Sequence, residues 1–365
     1  MSPIAKRAAD FCARFHVQLP VLLAPMAGAS APSLSIAVAE AGGLGACGAL
    51  LMSPAEIRAW ACEVRAKTRG GFQLNLWVPD PPPVRDAQHE DAVRRFLADW
   101  GPAVAPQAGD ATPPDFSAQC AAILEARPLI ASSVMGLFPA EFVLQLRKAG
   151  IAWFATVTTV AEAKLAEAAG ADVIVAQGLE AGGHRGSFDA SAAESRQVGL
   201  IALLPAVVDA VRLPVVATGG IADARGVAAA LVLGACAVAV GTAFLRCPEA
   251  QIPPAWAKAL AATLPEDTVV SRVFSGRAGR SLATAYVRAA TAPGAPKPAP
   301  YPVQRGLTAA MRQQALKAQD LERMQAWAGQ SAALSSAVPA AKLTRSLWDG
   351  AAQLLGIPWS PPAAA

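Results

Sequence analysis

Charge is scarce in this sequence, and so are the residues that announce metal or redox-thiol chemistry. Of 365 residues only 16% are charged against 54% hydrophobic, and 31 Lys and Arg offset 27 Asp and Glu to leave a net charge of +4. No basic run interleaves with aromatic residues, so nucleic-acid binding is not expected. A mild positive excess still suits small anionic substrates. The three histidines (16, 89, 184) are not spaced as metal ligands, and the six cysteines (12, 47, 62, 120, 236, 247) include no CxxC pair. No metal site is therefore expected, and six free thiols fit a reducing cytoplasm. There is no GxSxG elbow and no HExxH helix. The N-terminus carries Lys6, Arg7, Asp10 and Arg14 without a long apolar stretch and so reads as a poor signal peptide. One charge-free run, 226–245, approaches membrane-spanning length. Gly234, Gly241 and Thr242 punctuate it, and it reads as a buried helix turning into a buried strand of a soluble protein with no membrane partner.

What the chain does have is apolar surface to bury, 29 Gly and 30 Pro to make turns, and a repeating order of segments. Short apolar runs at 21–24, 44–48, 72–76, 128–132, 151–155, 172–176, 214–218 and 236–240 read as strands. Helical stretches such as 54–67, 139–149, 161–169 and 222–233 lie between them. Alternating strand and helix predicts a parallel sheet covered by helices, and continuously apolar strands predict burial on both faces. Eight strands close a (β/α)₈ TIM barrel, a fold in which about 250 residues share one core. Ala149-Gly150-Ile151 and Gly170-Ala171-Asp172 each end a helix on glycine just before a strand. The competing open sheet would carry GxGxxG after its first strand, where this chain has Ala24-Pro25-Met26-Ala27-Gly28. The expected organisation is a barrel over 1–250, with an insertion at 79–127 between strands three and four. Residues 251–365 would form a helical C-terminal extension packed on the barrel.

Two glycine turns then mark the catalytic end. Thr218-Gly219-Gly220-Ile221 follows strand seven and Gly241-Thr242-Ala243-Phe244 follows strand eight. Loops at these positions in barrels bind phosphate through backbone N–H groups, which glycine lets an anion approach. A helix N-terminus behind each turn is expected to add partial positive charge. Directly after strand six comes QGLEAGGHRG (177–186), where His184 is placed to act as a base. Asn75 and Gln177, at the ends of strands three and six, offer carboxamides that can pair with a ring edge. His16 and His89 have no such setting, and Cys47 and Cys236 fall inside strands as core residues.

APMAG (24–28), AGGLG (41–45), QLN (73–75), QGLEAGGHRG (177–186), ATGGI (217–221) and VGTAF (240–244) together resemble nitronate monooxygenase, formerly 2-nitropropane dioxygenase. SGR (275–277), YPVQ (301–304), LT (307–308) and WAGQ (327–330) extend the resemblance over most of the chain. The resemblance implies non-covalent FMN, held by Ala24, Pro25, Met26, Asn75, Gln177, Gly182, Gly220 and the run Ala239, Val240, Gly241, Thr242, with Gly219 in the same turn. It assigns His184 as the base that deprotonates a neutral nitroalkane. The implied reaction oxidises a small alkyl nitronate with O₂ to a carbonyl compound and nitrite, without a nicotinamide cofactor. The alternative on the same barrel is an FMN-dependent NAD(P)H reductase acting on enoyl-acyl-carrier-protein or quinone. A non-catalytic barrel binding a phosphorylated metabolite is a further reading, distinguished by a colourless preparation. Relatives often place a second histidine after strand four, whereas this chain has Ser133-Val134-Met135-Gly136-Leu137, and SGR continues as Ala278-Gly279-Arg280-Ser281.

Overall fold

All eight expected strands form, each within a residue or two of its expected place, and they pair in a ring. The computed structural model describes residues 2–358. The strands are β1 (Val21–Leu23), β2 (Gly45–Gly48), β3 (Phe72–Trp77), β4 (Ile130–Val134), β5 (Ala152–Val157) and β6 (Val173–Gln177), then β8 (Val215–Thr218) and β9 (Ala237–Val240). A two-residue strand, β7 (Gly183–His184), stands outside the ring between β6 and β8. Parallel pairing runs in the order β1-β9-β8-β6-β5-β4-β3-β2, and a parallel bridge from Leu22 to Leu44 closes the circle. The fold is a (β/α)₈ TIM barrel.

Alternation along each strand decides what faces where. Val173 and Val175 of β6 and Ala237 and Ala239 of β9 point inward, joining Leu22, Ile130, Phe154 and Val216. The residues between them, such as Ile174, Ala176, Val238 and Val240, pack outward against the helices. The N-terminal helix Pro3–Arg14 and the turn after it plug the bottom of the barrel. Phe15 sits edge-on to Phe154 at a centroid distance of 5.0 Å and against Phe11 at 4.8 Å. With that end filled by aromatic rings, only the C-terminal end of the barrel is open.

The helices expected at 54–67, 139–149, 161–169 and 222–233 form as Pro54–Lys67, Ala140–Lys148, Val160–Ala168 and Ala224–Val232. Gly150 and Gly170 adopt φ of +70° and +92°, the left-handed helix ends that their positions predict. The charge-free run 226–245 does divide into a helix and β9, and among the described residues no helix is long and apolar enough to cross a membrane.

The two decorated regions are organised differently from a simple insertion and tail. Within 79–127, Phe116–Ala126 packs beside Pro54–Lys67 as the third barrel helix, so the true insert is Ala87–Leu97 with the short turn Pro106–Asp110. The stretch after 250 is not purely helical: β10 (Thr268–Ser271) and β11 (Gly279–Leu282) pair antiparallel, and β11 also pairs with β7. The last helix, Ala340–Leu354, lies against Ala224–Val232 and Pro32–Glu40 and buries Leu343, Leu347, Trp348 and Ala351 in the main core. It completes the helical ring. Residues 251–335 are therefore inserted between β9 and its helix, over the open end.

These two inserts touch. The helix Val303–Leu307 packs on Pro106–Asp110, and at Gly306 a β-carbon would collide with the Ala108 carbonyl oxygen. Gly306→Ala is expected to lower unfolding free energy by about 1–3 kcal/mol, the usual range for forced overpacking. A denaturant midpoint measured beside wild type checks it, and an unshifted midpoint contradicts the tight contact.

Candidate active site

Inward-facing positions at the upper ends of β3, β6, β8 and β9 open onto one cavity of about 420 Å³, within the range that takes a cofactor-sized ligand. Of the residues expected from sequence, Ala24, Pro25, Met26, Asn75, Gln177, Gly182, His184, Gly219, Gly220, Ala239, Gly241 and Thr242 all line it. Val240 does not: it faces outward from β9 and is buried among the barrel helices.

The floor is made by the two glycine turns. Gly219 and Gly220 have φ of +109° and +70°, a region that strains other residues. The backbone N–H groups of Gly220, Gly241 and Thr242 donate to no protein acceptor among the described residues, so they are free for an anion. The helix termini behind them do less than the sequence predicts. Asp223 caps Ala224–Val232 and takes the N–H groups of Arg225 and Gly226, and only a short 3₁₀ turn, Thr242–Arg246, follows β9. The donors that the floor offers therefore belong to the turns themselves.

The 327–331 segment locks these turns from above. Gly329 N–H donates to Thr242 Oγ1 (3.0 Å), Ser331 Oγ–H donates to the Gly220 carbonyl (2.6 Å), and Gln330 N–H donates to the Glu180 carbonyl (3.0 Å). At Gly182 a β-carbon would lie 2.5 Å from Gly329 N. Gly182 is thus where the strand-six loop and the WAGQ segment meet backbone to backbone.

The carboxamides divide their roles. Gln177 Nε2 donates to the His184 carbonyl (3.1 Å) and its Oε1 accepts from Gly186 N–H (2.8 Å), so the side chain mainly shapes its own loop. Arg185, buried, donates to the Gln177 carbonyl (2.7 Å) and holds the same loop from below. Asn75 Nδ2 donates to Ser132 Oγ (3.0 Å), while its Oδ1 accepts no hydrogen bond from the described residues.

His184 stands on the opposite wall. Its strand, β7, pairs with β11 so that His184 lies across from Gly279. The Trp77 and Trp327 rings each approach the imidazole at 4.8 Å, and Ser275 Oγ lies 2.8 Å from Nε2. Burial, then the positive charges of Arg305 and Arg277, press the imidazole pKa down to about 3. The ring is therefore neutral at physiological pH. Trp77 is stacked on Tyr301 at 4.6 Å and carries the Arg277 guanidinium 5.6 Å from its centroid, and Arg277 is ion-paired to Asp80 at 3.0 Å.

Among the described residues the cavity lining contains no Asp or Glu, but it contains Arg305 and Arg312. Arg312 is tied to Thr308 Oγ1, Gln325 Oε1 and the Arg305 carbonyl, whereas the Arg305 side chain has no hydrogen bond or ion pair among the described residues. Val134 and Met135, from the segment in which the resemblance would place a second histidine, line the wall with an apolar pair. His16 is exposed and His89 is half-buried, neither near the cavity. Burial pushes the Cys47 and Cys236 thiols up to about 12, as their core positions predict. Trp77, Arg305, Arg312 and Ser331 were not among the expected site residues. Strand alternation places Trp77 inward beside Asn75, but the other three arrive from the insert after β9 without any local signal.

A (β/α)₈ barrel with a filled bottom, free backbone donors on the cavity floor, and a histidine and two arginines in its wall has the architecture of a small-molecule barrel enzyme. The chain belongs to the nitronate monooxygenase family, whose model matches residues 10–350. It is 39% identical over 344 residues to a nitronate monooxygenase of Paraburkholderia phytofirmans, covering 91% of this chain and 92% of the relative. Among solved structures it resembles a nitroalkane oxidase of Streptomyces ansochromogenes, with a TM-score of 0.86, 35% identity and 94% and 99% of the two chains covered. It also resembles FabK of Thermotoga maritima, with a TM-score of 0.74, 27% identity and coverage of 95% and 97%. The protein is thus an oxidoreductase of this family.

Proposed function

We propose that this chain binds FMN in the cavity and oxidises small alkyl nitronates with O₂ to a carbonyl compound and nitrite. The observation that carries the reading is the pairing of free backbone donors on the floor with a cationic wall in one cavity. Gly219, Gly220, Gly241 and Thr242 would hold the phosphate, with Ala24, Pro25, Met26, Gly182 and Ala239 lining the ring and Asn75 Oδ1 at its edge. Val240 would contribute only backbone, since its side chain faces away. Bound flavin supplies the electron acceptor and the partner for O₂. The protein's own residues do the rest. Trp77 and Trp327 flank the reacting space, Arg305 and Arg312 attract the anionic nitronate, and neutral His184 accepts a proton when the substrate arrives as the uncharged nitroalkane. A cytoplasmic location is part of this reading, supported by six unpaired cysteines.

The direct test is aerobic assay of the yellow protein with propionate 3-nitronate, following nitrite release and O₂ uptake. Absence of both overturns the proposal. The likeness to FabK favours a reductase as the second reading, and rapid anaerobic bleaching of the flavin by NADH or NADPH would establish it instead.

Arg305 offers a sharper probe because its side chain has no hydrogen bond or ion pair among the described residues. Arg305→Gln is expected to raise KM for a nitronate about tenfold, the ~1.4 kcal/mol of one charge-assisted contact. KM for neutral nitroethane should move much less. Equal shifts for both substrates remove Arg305 from anion binding.

A further inference from the structure

We propose that Ser275 fixes the tautomer of His184, accepting a hydrogen bond from Nε2–H and leaving Nδ1 as the lone pair that meets the substrate. The inference rests on the reading of His184 as the base and names the group that makes it one.

Ser275 is buried at the start of the SGR turn, and its hydroxyl is surrounded by three groups. Nε2 of His184 is at 2.8 Å, while the N–H and the carbonyl oxygen of Arg277 are each at 3.3 Å. A hydroxyl has one proton to give and two lone pairs to receive. The Arg277 N–H fills one lone pair. The Arg277 carbonyl is the acceptor for the proton, and among the described residues it has no other donor. The remaining lone pair faces Nε2, so Nε2 must bring the hydrogen. Turning the hydroxyl to donate to Nε2 would orphan a buried carbonyl, at a cost of about 1–3 kcal/mol.

Neighbouring geometry keeps this arrangement in register. Gly276, at φ +89°, makes the turn and lets the backbone of Tyr301 approach where a β-carbon would collide. Pairing of Gly279 with His184, and the bond from Arg185 N–H to the Ala278 carbonyl (2.9 Å), set the histidine opposite that turn. Nδ1 has no hydrogen-bond partner among the described residues, and the imidazole lines the cavity. When a neutral nitroalkane is deprotonated there, its Cα–H bond breaks and an Nδ1–H bond forms. The electron pair stays on the substrate as the nitronate, and Nε2–H remains bonded to Ser275. Ser275 touches no substrate and is a positioning residue.

The test uses flavin-loaded enzyme labelled with ¹⁵N-histidine, in which only three imidazoles occur and His184 is assigned by its loss in His184→Asn. Wild type is expected to show a single neutral tautomer, protonated on Nε2 and bare on Nδ1, and Ser275→Ala a mixture of both. A wild-type ring protonated on Nδ1, or an unchanged single tautomer in Ser275→Ala, overturns the proposal. In kinetics, Ser275→Ala should lower kcat/KM for nitroethane at least about tenfold, part of the ~10²–10⁴ a positioned base supplies. Turnover of a preformed nitronate should fall far less, and Ser275→Thr, which keeps the hydroxyl, should restore nitroethane activity. Equal loss on both substrates marks a merely structural role and overturns the proposal. If His184→Asn leaves nitroethane turnover intact, the base reading fails on its own, whatever the tautomer.

Discussion

Replacing His184 with Asn is expected to slow turnover of neutral nitroalkanes by about 10²–10⁴, the contribution of a positioned general base, while preformed nitronates keep most of their rate. The split follows from chemistry: a nitronate arrives already deprotonated, so only the nitroalkane needs the imidazole. Asn is close in shape and keeps a polar edge toward Ser275, so packing between Trp77 and Trp327 should survive. Initial rates of O₂ uptake on nitroethane and on its nitronate, at matched flavin content, make the comparison. Equal loss on both would refute the role. Among the described residues no second histidine lines the cavity, since His16 is exposed and His89 is half-buried, both outside it.

The same residue sets the pH dependence. Its folded pKa is driven down to about 3, from the ordinary 6.5, so the basic form predominates on both sides of neutrality. As pH falls from 8 to 5, kcat/KM for nitroethane should stay level, because the proton acceptor is lost only near the depressed value. An inflection near 6.5 would show that bound flavin and substrate return the imidazole to an ordinary environment. In Arg305→Gln one of the two charges depressing the pKa is gone, so any acid limb should move to higher pH.

Much of this was legible in the sequence because barrel strands are local. Each is a short apolar run followed by glycine or a polar cap, and all eight are placed within two residues. Inward and outward positions follow from a period of two, which brings Asn75, Gln177 and Ala239 to one cavity and sends Val240 to the outer core. The same rule marks Trp77. Other features were hidden by distance along the chain. Ser275 meets His184 across 91 residues, and Ser331 meets Gly220 across 111. No local pattern encodes such meetings; they depend on how the insert after β9 folds back over the barrel. The displaced eighth helix had a readable signal, since Leu343, Leu347 and Ala351 repeat at four-residue steps, but position in the chain disguised it as part of a tail.

Gly220→Val is expected to lower flavin content at least tenfold, or about 1.4 kcal/mol of binding. Three effects converge there. At φ +70° a residue with a β-carbon is strained by roughly 1–2 kcal/mol. That β-carbon would lie 3.1 Å from Cβ of Glu180, whose carboxylate holds the Leu200 N–H at 2.9 Å and so anchors the helix Leu200–Ala210. The Gly220 N–H is also one of the free donors on the cavity floor, and a branched side chain beside it obstructs an anion. Strain alone could unfold the protein and release flavin indirectly, so a control is needed. Gly150→Val carries the same φ of +70°, has open space around its β-carbon, and precedes β5 at the opposite end of the barrel. It should lose stability and keep its flavin. Flavin absorbance per protein, beside thermal unfolding of each variant, separates the outcomes. Wild-type flavin in Gly220→Val, or equal flavin loss in both variants, would move the phosphate away from this turn.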